Sequence, residues 1–94
     1  MDYKIKYLET SLIDMMEIKQ YLDQYSEKAW VALVDNFEKQ IDALRAFPLM
    51  GSPYKKYRRL ICGDYIAFYR VDKNNETVEI MRFLHGSRDI GQYL

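Results

Sequence analysis

The chain has 94 residues, of which 49% are hydrophobic and 15% aromatic, so it can build one core and is too apolar to be a disordered segment. Its 14 Lys and Arg balance 14 Asp and Glu, and this zero net charge disfavours a protein that is basic over its whole surface. No apolar run approaches the roughly 20 residues that a membrane helix needs. We therefore expect a single domain over residues 1–94 and no membrane partner.

The charge is neutral overall but unevenly distributed. Residues 1–44 hold 5 Lys or Arg against 9 Asp or Glu, whereas residues 45–94 hold 9 against 5. Such asymmetry predicts one basic face. The acidic half has a second explanation, because the solvent-exposed side of two helices would also be rich in acidic residues. Cys62 is the single cysteine and cannot form an internal disulfide, and no signal-peptide pattern opens the chain, so we expect a cytoplasmic protein. With one histidine and one cysteine, we expect no metal site and no cofactor.

The N-terminal segment alternates and then changes to helical spacing. Residues 3–7 read YKIKY, which predicts a half-buried strand. Ser11 and Asp14 in the following TSLID segment predict a capping pair at the start of a first helix. The apolar stripe predicted for this helix consists of Leu12, Met15, Ile18, Leu22 and Tyr25.

A second, longer helix is predicted after Ser26, which is placed to cap it. The turn at Ser26 is short, so the two helices should be antiparallel neighbours. We interpret the apolar residues of the second stripe as core rather than as a ligand pocket, because they recur at helical spacing. They are Trp30, Leu33, Phe37, Ile41 and Leu44.

The remainder of the chain predicts a β-meander. The loop FPLMGSP ends the helical region, since its prolines and glycine cannot continue a helix. Three strand-like stretches follow, YRRLIC, YIAFYRV and TVEIMRFLH, separated by the turns GD and DKNNE. The order predicts an α+β fold with an N-terminal strand, two antiparallel helices and a three-stranded antiparallel meander, the helix pair covering one face of a small sheet. The basic groups should gather on the face that the helices leave uncovered.

Residues 47–90 also carry several features in a fixed order. These are the Phe-Pro loop, an Arg-rich strand before a Gly-Asp-Tyr turn, a Phe-Tyr-Arg-Val strand, and a strand ending in Leu-His-Gly-x-Arg-Asp. In this order and spacing the sequence resembles the RelE/ParE toxin superfamily of bacterial type II toxin–antitoxin modules, and the element order extends the resemblance over nearly the whole chain. The resemblance implies a RelE-like fold and a toxin that a cognate antitoxin holds inactive.

The superfamily has two branches, and the resemblance leaves both open. RelE-like members cleave mRNA in the ribosomal A site without a metal, which is the activity that we expect first, with the ribosome and mRNA as partners. ParE-like members inhibit DNA gyrase, which is the alternative. A further alternative is an inactive homologue that only binds its antitoxin.

Metal-free RNA cleavage needs a base, an acid and fixed positive charge near the phosphate oxygens. His85 is the only side chain here whose unperturbed pKa lies near 7. The catalytic residues expected under this resemblance are Arg59, His85, Arg88 and Tyr93. The residues expected to hold the RNA backbone are Lys55, Lys56, Arg58 and Arg82.

Other observations favour a structural role for the same residues. Ile66 stands where many RelE-like nucleases carry an arginine, and zero net charge disfavours ribosome binding, which depends on contacts of Lys and Arg with phosphate. Alternatively, His85 is a hydrogen-bonded structural residue, and Arg88 forms only a local ion pair with Asp89. The lysines of YKKYRRL could instead protect an edge strand from pairing with another sheet.

The uncovered sheet face predicts a protein partner. In YIAFYRV, Ile66 and Phe68 lie on the side opposite Tyr65, Ala67 and Tyr69, so one of the two sides should expose an apolar patch. We expect an antitoxin segment with acidic and apolar residues to cover it and to meet Arg58, Arg59 and Arg82. A homodimer through the same patch is the alternative.

Overall fold

The computed structural model describes residues 2–94 as two helices and one mixed sheet of five strands. The element order is β1 (Lys4–Tyr7), α1 (Glu9–Asp23), α2 (Glu27–Ala43), β2 (Ser52–Tyr54), β3 (Tyr57–Cys62), β4 (Tyr65–Asp72), β5 (Thr77–His85) and a short 3-10 turn (Ile90–Gln92). The strands lie in the order β1-β5-β4-β3-β2. β1 is parallel to β5, and the other neighbours are antiparallel. The predicted α+β class is confirmed.

The sheet has one strand more than the sequence predicts. β2 lies within the segment expected to be a loop, and its Ser52 is paired with Arg59 of β3. Pro53 lies in the middle of β2, and a proline is tolerated there because β2 is an edge strand with no further neighbour. The sequence pattern misses such a strand because three residues are too few to show alternation.

The core lies between the helices and one face of the sheet, which we call the helix face. Tyr65, Ala67 and Tyr69 of β4 point to this face and are at most 9% exposed. Phe37 and Ile41 of α2 and Leu44, which directly follows it, are at most 3% exposed, which confirms these members of the predicted stripe. Leu33 packs at its margin, and Trp30 is half-buried outside the core cluster.

The stripe predicted for the first helix is confirmed at Met15 and Ile18, which pack against the core, but not at its two ends. Ser11 and Asp14 are its buried residues, whereas Leu12 is 47% and Tyr25 71% exposed. The predicted capping pair is wrong, because Leu8 occupies the N-cap and both Ser11 and Asp14 lie inside the helix, where they are buried. β1 ends at Tyr7, so α1 runs beside the edge of β5 where no strand continues. Polar side chains of α1 form hydrogen bonds with the backbone of β5 there, where a further strand would otherwise pair.

Two side chains of α1 bind the open edge of β5. The hydroxyl of Thr10 donates to the carbonyl oxygen of Met81 over 2.8 Å, and the backbone N–H of Phe83 donates to Asp14 over 3.0 Å. An unpaired backbone group in a buried position is costly, so these bonds orient α1 against the strand. Within residues 2–94, neither helix combines the length and apolarity needed to cross a membrane.

Candidate functional site

The strand end that carries His85 is fixed by a tight local turn. The N–H of Gly86 donates to the carbonyl oxygen of Asp64 over 2.8 Å, and the N–H of Ser87 donates to Nδ1 of His85 over 3.1 Å. The His85 ring meets the Tyr65 ring edge-on, with centroids 5.1 Å apart. Because a backbone N–H can only donate, Nδ1 must accept, and the neutral imidazole then carries its proton on Nε2. In this arrangement Nε2 has no lone pair with which to take up a substrate proton.

Two arginines and Tyr93 form a cluster beside His85. Arg88 Nη1 donates to the Tyr93 hydroxyl over 2.7 Å. The Tyr93 ring also lies against both guanidiniums, 5.0 Å from that of Arg82 and 5.6 Å from that of Arg88. These contacts hold the C-terminal segment against the end of β5.

Arg82 is held in turn by a buried carboxylate. Its Nε and Nη2 atoms each donate to an oxygen of Asp14 over 2.8 Å, in a bidentate pair. The hydrogen bond to Asp14 raises the pKa of Arg82 above its ordinary value. An arginine paired in this way is fixed within the fold. Its charge is largely compensated by the carboxylate, so it attracts a phosphate weakly.

A cavity of about 590 Å³ opens where α1, the end of β5 and the C-terminal segment meet. Four of the predicted site residues line it, namely Arg82, His85, Arg88 and Tyr93. Three carboxylates line the same cavity, those of Asp14, Glu17 and Asp64. They outnumber the two guanidiniums, so the cavity is electrostatically poor for a polyphosphate.

The other four predicted residues lie around the β2–β3 hairpin. Arg59 Nε donates to the Ser52 hydroxyl over 3.3 Å, and its guanidinium lies 5.8 Å from the Tyr54 ring. Lys55 and Lys56 are exposed in the turn, each beside a tyrosine ring. These side chains form a basic and aromatic edge.

Arg58 holds the preceding loop rather than facing solvent freely. Its Nη1 donates to the carbonyl oxygens of Leu49 and Gly51, over 3.2 and 2.7 Å. The N–H of Gly51 donates to the buried Tyr69 hydroxyl over 2.8 Å, and burial raises the pKa of that phenol. The structure therefore places Arg58 in the framework of the fold.

The predicted catalytic residues are divided between two sides of the sheet. His85 pairs with Tyr65 and points to the helix face. Arg59 pairs with Phe68, which alternates to the other side of β4 and packs against Tyr54. We call that other side the open face. Arg59 and His85 therefore extend from opposite sides of the sheet.

The open face is basic, as the sequence predicts. Lys6 pairs with Glu79, and Glu79 accepts a hydrogen bond from Arg70 over 2.7 Å, which places all three on the face opposite the core. Lys4 and Arg59 share this face through the strand register. The expected apolar patch is reduced, because Tyr54 covers Phe68 and leaves it 1% exposed, but Ile61 remains 60% exposed.

Asp14 is the residue that sequence reasoning placed wrongly. It was assigned to a helix cap, whereas it binds Arg82 from 68 positions away. A signal was present, because an arginine in mid-strand between Met81 and Phe83 requires a carboxylate partner when it is partly buried. The spacing of acidic residues on α1 alone does not identify which of them is that partner.

Comparison with known proteins agrees with this architecture. A family model described as ParE toxin of type II toxin–antitoxin system, parDE, matches residues 5–90. No curated protein matches the chain in sequence. Among solved structures, the toxin–antitoxin complex RelBE2 from Mycobacterium tuberculosis is 23% identical with a TM-score of 0.66, covering 90% of this chain and 99% of that chain.

Two further structures are similar at lower identity. The chromosomal ParDE system from P. aeruginosa is 19% identical with a TM-score of 0.69, covering 88% of this chain and 95% of that chain. The isolated E. coli RelE toxin is 10% identical with a TM-score of 0.65, covering 97% and 93%. At these identities the likeness establishes the fold.

Proposed function

Because the chain belongs to the ParE toxin family of type II toxin–antitoxin systems, we propose that a cognate antitoxin holds it inactive and that the free toxin arrests growth by binding DNA gyrase. The membership confirms the resemblance to the RelE/ParE superfamily. The gyrase target is the alternative branch of the expectation drawn from the sequence, and it replaces mRNA cleavage as our first choice.

The observation that carries this choice is the division of the predicted catalytic residues. Arg59 lies on the open face, and His85 lies on the helix face. General acid–base cleavage needs its groups within hydrogen-bond reach of one substrate. A toxin that acts by binding a protein needs no such convergence, so the divided arrangement favours a binding mechanism.

The hydrogen bonds of the individual side chains also favour a binding mechanism over RNA cleavage. Nδ1 of His85 accepts from Ser87, and the guanidiniums of Arg58 and Arg82 are bonded to the backbone and to Asp14. Arg58 and Arg82 are therefore engaged within the fold, whereas binding to RNA depends largely on Lys and Arg side chains that contact phosphates.

For the antitoxin we propose the open face as the binding surface. Among residues 2–94, Lys4 and Lys6 form no ion pair, and the exposed Ile61 lies on the same face. An acidic and apolar segment of the antitoxin would complement both features. The structurally similar RelBE2 protein was solved as a toxin–antitoxin complex, which supports such a partner.

Induced expression in bacteria tests the proposal, with DNA damage and mRNA integrity measured separately. We expect growth arrest and a DNA-damage response with intact mRNA, and relief of the arrest by co-expression of the antitoxin. His85→Ala should arrest growth as the wild type does. Arrest with cleaved mRNA and no DNA damage would reject the gyrase target.

Cleavage of mRNA on the ribosome is the second candidate, and one observation favours it. Arg82, His85, Arg88 and Tyr93 all line a single cavity. If a bound RNA displaced the Ser87 bond, His85 would be free to transfer a proton. This mechanism predicts that His85→Ala lowers the cleavage rate by about 10²–10⁴-fold. The variant should therefore no longer be toxic.

A further inference from the structure

The loop before β2 displays three apolar side chains to solvent. Phe47 is 67%, Leu49 49% and Met50 44% exposed, and they lie within four consecutive positions. We call these three residues the loop patch. Single exposed apolar residues are common on protein surfaces, but a contiguous group of large ones marks an interaction site.

The backbone under the loop patch is firmly fixed. Arg58 binds the carbonyl oxygens of Leu49 and Gly51, and the Tyr69 hydroxyl accepts the N–H of Gly51. A Cβ at Gly51 would lie 2.6 Å from the Arg59 carbonyl oxygen, so the loop is seated directly against β3. A loop whose backbone is held in this way loses little backbone entropy when a partner binds.

The segment of sequence that contains the loop patch carries charge of one sign. Residues 43–63 contain five Lys and Arg and no Asp or Glu. Arg45 is paired with Asp42, but Lys55 and Lys56 form no ion pair within residues 2–94 and remain exposed. The complementary surface would carry apolar side chains beside carboxylates.

We infer that the loop patch, together with Lys55 and Lys56, is the surface with which the free toxin binds its target protein, at an apolar site flanked by carboxylates. This inference rests on the proposed function, in which the toxin acts by binding a protein. The loop meets the core through Tyr69, which points to the helix face. Lys55 lies beside Tyr54, which packs on Phe68 of the open face, so the test alters only apolar residues of the loop patch and leaves the open face proposed for the antitoxin unchanged.

The test is a double variant, Phe47→Ser with Leu49→Ser, compared with Val31→Ser as a matched control. Val31 is 64% exposed on α2, close to the exposure of Phe47, and lies outside the loop patch. Each purified chain is tested for inhibition of DNA gyrase supercoiling and for antitoxin affinity, and growth arrest is followed in cells. Thermal unfolding shows that each variant is folded, and Phe47→Ser alone replaces the double variant if that one does not fold.

We expect the double variant to need about tenfold more protein, or more, for half-inhibition of gyrase and to arrest growth weakly. Its antitoxin affinity should stay within about twofold of wild type, and Val31→Ser should resemble wild type in every assay. If the wild type inhibits gyrase and the double variant is equally potent, this inference is overturned and the proposed function is not. An equal loss of antitoxin affinity would assign the patch to the antitoxin. A wild-type chain that neither arrests growth nor inhibits gyrase would overturn the proposed function together with this inference.

Discussion

Asp14 joins α1 to the edge of β5 through three hydrogen bonds, two from Arg82 and one from the backbone of Phe83. Its side chain is 7% exposed, so the carboxylate depends on these donors to replace water. The same carboxylate supports the C-terminal segment, because Arg82 lies against the Tyr93 ring. One residue therefore fixes a helix, a strand edge and the segment that follows the strand.

Asp14→Ala should lower the free energy of unfolding by about 3 kcal/mol, because it leaves the Arg82 guanidinium partly buried without a partner. Urea titration followed by circular dichroism measures the change. Asp23→Ala is the control on the same helix, since it removes only an exposed pair with Lys19 and should cost below about 1 kcal/mol. Equal losses in the two variants would show that the buried pair does not stabilise the fold.

Gly51→Ala should destabilise the protein by about 1–3 kcal/mol, because the added methyl has no space. It would lie 2.6 Å from the Arg59 carbonyl oxygen and 2.7 Å from the Tyr69 hydroxyl, and the first of these is backbone. At Gly91 the nearest atom is the Asp89 carboxylate at 3.5 Å, so Gly91→Ala serves as the control. A thermal midpoint unchanged in both variants would contradict the close contact.

Residue identity alone predicted which side chains could carry chemistry but not where they would lie. Arg59 and His85 were expected to act together, and strand register places them on opposite faces. Register changes the face of every side chain in a strand when it shifts by one residue. The sequence of one strand does not contain this information, since it depends on the neighbouring strand and on the bulge of β5 near Phe68.

At the level of elements, periodicity was informative where the apolar stripe was continuous. The stripe of α2 identified Phe37, Ile41 and Leu44 as core. The stripe of α1 failed at Leu12 and Tyr25, because α1 turns polar residues toward the open edge of β5. A tertiary contact of this kind outweighs the hydrophobic pattern of a single helix. β2 was missed because its three residues are too few to show alternation, and only the pairing with β3 identifies it as a strand.

Phe37→Ala should cost about 3–5 kcal/mol in the free energy of unfolding, as expected for an aromatic side chain removed from a closed core. Phe37 is 1% exposed and contacts the Phe83 ring at a centroid distance of 4.5 Å. Leu33→Ala should cost less, below about 2 kcal/mol, since Leu33 is only half-buried and its site can refill with solvent. Denaturant titration of both variants measures the difference, and a larger loss at Leu33 would mean that the centre of the interface is misplaced.

At the scale of the whole molecule, zero net charge conceals two different surfaces. The first 44 residues are acidic and mostly helical, whereas residues 45–94, which contain four of the five strands, carry 9 of the 14 Lys and Arg. The sequence predicted this separation because the charge halves coincide with the change from helical to strand spacing. What it did not reveal is that Arg58, Arg70 and Arg82 are engaged within the fold. The charge available to a partner is consequently smaller than a count of basic residues suggests.

The most direct test of the central claim uses purified toxin, wild type and His85→Ala, in two reactions run in parallel. One measures supercoiling by DNA gyrase, and the other measures cleavage of mRNA on programmed ribosomes. A binding toxin should inhibit supercoiling at the same concentration with or without the His85 imidazole, and should leave the mRNA intact. Cleavage of the mRNA by the wild type, abolished in His85→Ala, together with unaffected gyrase, would contradict the account.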